Sequence, residues 1–200
     1  MNNYEYIIAS LPVLSPEYRY SEGSGFASLT EEIRSQLDGS DRDALSLLLR
    51  GFDGNALDTD FYATALSQRN PFLREYFRFD LNLRNAKVRW LNESLGRPEG
   101  TDLITGFEQD GEETVPEGVE TVLALTDLLG RERGLDQLYW DKADALTTFH
   151  YFDLDAVLAF VAKLHIVDRW LVLDEESGRA MFRRLVEEVR GTFTGVAYNG

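Results

Sequence analysis

The chain predicts an all-α fold, a helical bundle, on three observations. Apolar residues recur three and four positions apart through most of its length, and alternating runs are few. Pro and Gly are sparse inside the periodic segments. The third observation is punctuation: Asn70-Pro71 and, further on, Gly96 and Pro98 bracket one long periodic stretch with the start and stop signals of a single helix. With 44% of its 200 residues hydrophobic and 12% aromatic, a single domain over 1–200 can bury a sizeable core. It contains no cysteine, so no disulfide or thiolate site contributes.

Taken in order, residues 4–11 (YEYIIASL) suit a short extended segment or a short helix closed by Pro12 equally well. After the Pro- and Gly-rich stretch 12–25, Ser28 or Thr30 can cap a helix with acids in its first turn. The next helix begins near Ser40, sets Leu45, Leu48, Leu49 and Phe52 on one side, and stops at Gly54-Asn55. Asp58 or Thr59 then caps a helix through Tyr62 and Leu66. Asn70-Pro71 opens the long helix, roughly 25 residues or about 37 Å at 1.5 Å per residue. Residues 100–118 are acidic and turn-rich, a candidate hinge between two helical sub-bundles. Beyond it the periodicity predicts helices over 119–129, 135–148, 153–173 and 175–190, the last with Met181, Phe182, Leu185, Val186 and Val189 on one face. No repeat of 20 to 50 residues is evident.

Composition excludes several function classes. The most apolar stretch, 154–173, is interrupted by Asp155, Lys163, His165, Asp168 and Arg169, so no run approaches the ~20 apolar residues that span a bilayer. The start MNNYEYIIASLP lacks a basic n-region and a long apolar run, which predicts a cytoplasmic protein, at most peripheral at the cytoplasmic face of a membrane. Thirty-five acids against twenty bases give a net charge of −15, which repels phosphate backbones, so no nucleic-acid partner is expected.

The most enzyme-like cluster is His150 with Asp153 and Asp155, whose imidazole and carboxylates suit a metal or an acid-base pair. Helix capping explains it more simply: Asp153 stands at an N-cap position and Asp155 in the favourable first turn. His165 falls on an apolar helix face and reads as a packed histidine. The segment from Asp53 to Thr64 fails as a calcium loop, with Asp58 where Gly belongs and Thr64 where a bidentate Glu belongs. Gly23-Ser-Gly-Phe-Ala-Ser lacks the third glycine and preceding strand of a dinucleotide fingerprint. Asn92-Glu-Ser is a sequon on a helix and reads as incidental. No catalytic residue, metal ligand or cofactor is therefore expected.

The long helix differs from the rest in charge. Residues 69–97 hold seven bases and three acids, a local +4 in a chain whose remainder carries −19. Asp80, Asn82 and Arg84 read as a polar register device, with Asp80 and Arg84 paired at i,i+4 and Asn82 bonded to a neighbouring helix. Tyr76, Phe77, Leu83 and Trp90 read as core. Arg78, Lys87 and Arg89, with Arg183 and Arg184 further on, are the candidate residues for docking a protein partner of opposite charge.

Several stretches carry a resemblance: Tyr-Phe-x-Phe-Asp-x-Asn-Leu-Arg at 76–84, Glu132-Arg-Gly-Leu-Asp-Gln-Leu-Tyr-Trp, Phe149-His-Tyr-Phe, Asp168-Arg-Trp-Leu-x-Leu-Asp with Phe-Arg-Arg-Leu at 182–185, and the N-terminal Tyr-x-Tyr-Ile-Ile-Ala-Ser-Leu-Pro. Together they resemble an uncharacterised bacterial family encoded in V-type ATPase operons. That family is distantly similar to the C subunit of the V/A-type ATPase, equivalent to the d subunit of the vacuolar enzyme, an all-helical funnel that seats the central stalk on the proteolipid ring. The resemblance implies a non-catalytic coupling or assembly component whose partners are V-type ATPase subunits, the central stalk and the proteolipid ring among them. The chain is shorter than a full C subunit, with its three similar lobes, and would complete only part of such a funnel. A competing expectation, resting on charge and interface-type aromatics alone, is an acidic helical adaptor or chaperone-like interaction protein unrelated to rotation.

Overall fold

Residues 3–108 and 115–172 are described by a computed structural model, with eight α-helices, one 3-10 turn and no strand among them. The helices are α1 (Tyr4–Ser10), α2 (Phe26–Gln36), α3 (Gly39–Arg50), α4 (Thr59–Leu66), α5 (Pro71–Leu95), α6 (Val119–Leu123), α7 (Leu128–Leu146) and α8 (Leu154–Val172). The helix expected over 175–190 lies outside the described residues.

Helix α8 is the axis of the bundle, touching α1, α2, α3, α5 and α7. Val157, Leu158, Ala159, Val161, Ala162, Leu164, Ile166 and Val167 are all buried, because a helix apolar on nearly every side has to be surrounded. The main core joins Val157, Leu158, Ala159, Val161 and Ala162 to Ile33, Leu45, Leu48, Phe61, Phe72 and Phe77 from α2 to α5. A smaller cluster of Leu83, Val119, Leu123 and Leu135 joins the far half of α5 to α6 and α7.

The end signals act as their chemistry requires. Asn70 Oδ1 accepts the Leu73 N–H at 2.8 Å, and Gly96 closes α5 at φ 63° while the Arg97 N–H bonds Asn92 O at 2.8 Å. Asp58 Oδ1 caps α4 through Phe61 N at 2.7 Å. The open question at 4–11 resolves as a helix, α1, capped by Asn3 and tied to α3 by the Tyr4 hydroxyl on Asp41.

Two expectations need correction. Helix α2 begins at Phe26, and Ser28 is not its cap: from inside the first turn, its Oγ accepts the Gly25 N–H at 2.8 Å. The helix predicted over 119–129 breaks after Leu123, and α7 starts at Leu128, ahead of the predicted start at Leu135. Asp127 makes that new start by accepting Gly130 N at 2.6 Å, and Gly134 lets α7 lie against α6, where an added Cβ would stand 2.7 Å from Val122 Cγ1. The first part of the candidate hinge is fastened. Asn85, buried in α5, accepts Ile104 N at 3.1 Å and donates to Ile104 O at 2.8 Å, while Asn92 donates to Glu99 O and Thr101 O.

Candidate functional site

The middle of α5 meets α4 and α7 at one buried carboxylate. Asp80 accepts the Tyr62 hydroxyl on Oδ2 at 2.6 Å and the Tyr139 hydroxyl on Oδ1 at 2.7 Å, so both oxygens are taken by tyrosines from different helices. Burial pushes the Asp80 carboxyl above the usual range, while the two hydrogen bonds and the charges of Arg84 and Lys87 pull it back. Burial, reinforced by the Asp80 charge, also pushes the Tyr62 and Tyr139 hydroxyls up, so both stay protonated donors.

This differs from the expected register device. Asp80 and Arg84 form no direct ion pair, and the bonds to the carboxylate come from the two tyrosines. Arg84 Nε is sealed from solvent and finds no hydrogen-bond partner among the described residues. Asn82 makes no side-chain hydrogen bond there either. The amides that fasten the chain are Asn85 and Asn92, and they bond the segment after α5 instead of another helix.

One turn away, α7 and α8 build a second buried carboxylate. Asp136 is 1% exposed, accepting Arg169 Nη1 on Oδ1 and Trp170 Nε1 on Oδ2, both at 3.1 Å. Arg169 reaches Glu132 with its other terminal nitrogen at 3.0 Å, and Trp170 stacks on Trp140 at 5.9 Å between ring centroids. Burial pushes Asp136 up to about 6 against the opposing pull of Arg169 and Trp170.

Both carboxylates face a cleft of about 650 Å³ between α5, α7, α8 and the end of α3. Phe52, Leu57, Val88, Leu91 and Ile166 supply apolar wall, and Arg84, Lys87 and Arg169 supply positive charge. His165 also lines it, stacked on Phe52 at 4.1 Å with the rings 3° from parallel. Burial and the Arg169 charge push that imidazole down to about 4, so it is neutral at pH 7. The packed role expected of His165 is what the structure places there.

The docking candidates on α5 separate. Arg78 is committed inward, donating to Phe107 O at 3.4 Å with its Nε sealed, so it serves the scaffold. Arg89 lies 3.9 Å from Glu99. Lys87 is in the cleft wall, and Arg183 and Arg184 lie outside the described residues. Tyr76, Phe77 and Leu83 are buried as expected, whereas Trp90 is half-buried beneath the Arg131 guanidinium at 4.3 Å.

His150, Asp153 and Asp155 do not converge. His150 Nδ1 meets Asp153 Oδ2 at 2.6 Å, which raises the imidazole pKa, and Asp153 Oδ1 caps α8 through Ala156 N at 3.0 Å. Asp155 turns away into the core and accepts Asn70 Nδ2, tying the start of α8 to the start of α5. Among the described residues no group of three or more His, Asp or Glu side chains is placed to hold a metal ion. Around this histidine the α7–α8 turn presents Phe149, Tyr151 and Phe152 at 85%, 67% and 58% exposure.

Sequence reasoning missed Tyr62, Tyr139 and Asp136 as site residues. One signal for Asp136 was available: Glu132 and Asp136 stand four apart on α7, one acidic stripe able to grip a single arginine.

None of the helices described is long and apolar enough to cross a membrane. A family model described as a protein of unknown function (DUF2764) matches residues 113–192, less than half of the chain, taking in α6 to α8 with Asp136, Tyr139 and Arg169. No curated protein and no solved structure matches the chain.

Proposed function

We propose that this protein is a non-catalytic docking component of a V-type ATPase, a coupling or assembly protein akin to the C subunit that works through helix faces and turns. The observation that carries the docking reading is the exposed aromatic triplet Phe149, Tyr151 and Phe152. Three large rings exposed to water on one turn forgo apolar burial worth roughly 1.5–3 kcal/mol each, and aromatic residues of this kind dominate binding energy at interfaces. The turn that carries them is braced from inside, by His150 N on Thr147 O at 3.0 Å and by Asp153 capping α8. A braced, apolar projection suits a partner groove because little conformational entropy is lost on docking. The ATPase assignment rests on the motif resemblance, in which Phe149-His-Tyr-Phe is one of the stretches.

The test is co-purification of the native enzyme from membranes of the source cell, with the wild-type chain and with Phe149→Ala/Tyr151→Ala/Phe152→Ala. Retention of the wild type and loss of the triple variant is the expected result. Reproducible absence of the wild-type chain from the complex would sink the ATPase assignment, and recovery with a different partner would make it the acidic adaptor instead. Equal retention of the triple variant would remove the turn from the docking surface.

A further inference from the structure

We propose that the cleft between α5, α7 and α8 binds a small organic anion, a phosphate or carboxylate head held by Arg84 and Lys87 with an apolar body against Phe52, Val88 and Leu91. This site is separate from the α7–α8 turn and does not depend on the docking reading.

Donors and acceptors in the cleft do not balance. Three cationic side chains line it and two carboxylates face them. Every carboxylate oxygen is already occupied: those of Asp80 by Tyr62 and Tyr139, those of Asp136 by Arg169 and Trp170. Arg169 commits both terminal nitrogens to Glu132 and Asp136. Arg84 and Lys87 are left with no hydrogen bond or ion pair to any described residue, although 35 of the 200 residues are acids. Elsewhere Arg89, Arg97 and Lys163 each find a carboxylate. Two cations without an acceptor, set in a partly enclosed wall of low polarity, focus a positive potential on the cleft that water screens poorly.

Shape restricts the ligand. A volume of about 650 Å³ falls within the range of small-molecule pockets, roughly 300–1,000 Å³, and exceeds what a bare inorganic ion fills. The apolar wall lies beside the cations, so a head with a short aromatic or aliphatic body fits both surfaces. His165, neutral and stacked on Phe52, adds a flat wall without adding charge.

Calorimetric titration of the full chain with phenyl phosphate, benzoate, inorganic phosphate and the neutral benzyl alcohol tests this. The expected result is saturable one-to-one binding of phenyl phosphate or benzoate, whichever head the site prefers, and none of benzyl alcohol. Lys87→Gln and Arg84→Gln should each weaken that binding about tenfold or more, the scale of one charged hydrogen bond. Arg133→Gln, which removes an exposed charge elsewhere on α7, should leave it unchanged. Should Arg84→Gln fail to fold, Lys87→Gln decides the question alone. No saturable binding of either organic anion, or binding that Lys87→Gln does not weaken, overturns the proposal.

Discussion

Gly51, at the end of α3, is the position where one methyl group tests the packing of α3 on α5. Its φ of −67° suits any residue, so no backbone strain arises there. Space is the constraint. A Cβ at this position would stand 2.3 and 2.4 Å from Phe77 Cε1 and Cζ and 3.0 Å from Phe61 Cζ. Carbon atoms attract best at about 3.5–4.0 Å, so the new methyl is more than about 1 Å too close. The ring cannot retreat, because Phe77 is 1% exposed and wedged edge-on between Phe61 at 5.0 Å and Tyr76 at 5.7 Å. Relief has to come from α3 backing away from α5. Overpacking of this kind costs about 1–3 kcal/mol, and Gly→Ala returns about 0.4–1 kcal/mol by restricting the unfolded chain. The expected net loss for Gly51→Ala is about 1–2 kcal/mol.

Urea denaturation followed by far-ultraviolet circular dichroism measures this loss directly. The midpoint should fall while the slope stays unchanged, as for a pure stability change. Gly54→Ala is the internal control, since nothing lies within 4 Å of its added Cβ, and it should be neutral or slightly stabilising. Combining Gly51→Ala with Phe77→Leu should cost less than the two separately, because the smaller side chain yields the space the methyl needs. A Gly51→Ala protein as stable as the wild type, or an equal loss in Gly54→Ala, would refute the close approach of α3 and α5.

Three further outcomes are expected. Asp136 binds its proton more tightly in the folded state, at about 6 against 3.8, so its contribution to stability is present below pH 4 and is lost as pH rises through 6; Asp136→Asn should remove a slope of about 3 kcal/mol over that window from the stability–pH curve, relative to wild type. The two histidines should titrate apart in nuclear magnetic resonance spectra, His165 near pH 4 and His150 above 6.5, and the stability that neutral His165 supplies should be lost as pH falls from 6.5 towards 4. Asn85→Ala removes both bonds to Ile104 and should raise amide exchange and proteolytic cleavage across residues 101–108 while leaving the α5 amides protected.

Local chemistry made most of the helices legible. Asn70, Asp58, Asp153 and Gly96 act within a few residues of themselves, so the ends of α4 and α5 and the start of α8 followed from side-chain chemistry at those positions. The break between α6 and α7 had one local mark, Asp127 capping Gly130 N, which the apolar period overrode; the approach of Gly134 to Val122 across the helix pair left none in any local window. The same distinction governs the site. Asp80 was visible as a polar residue among aromatics, and Arg84 four residues on was its obvious partner. Its actual partners are 18 and 59 residues away, and a long-range hydroxyl leaves no trace in helical spacing.

That substitution of partners decides what the middle of α5 is for. Had Asp80 and Arg84 paired, the two charges would have cancelled locally and the helix would carry only a solvated or buried bridge. With Tyr62 and Tyr139 each donating to one of its oxygens, Asp80 is held by hydrogen bonds, while burial raises its pKa and the charges of Arg84 and Lys87 oppose that rise from a distance. A buried carboxylate is a costly way to hold three helices together, since apolar residues of the same shape often serve as well or better. The two tyrosine bonds tie α4, α5 and α7 at one point and leave Arg84 and Lys87 to the cleft, while the core that includes Phe61, Phe72 and Phe77 supplies the cohesion.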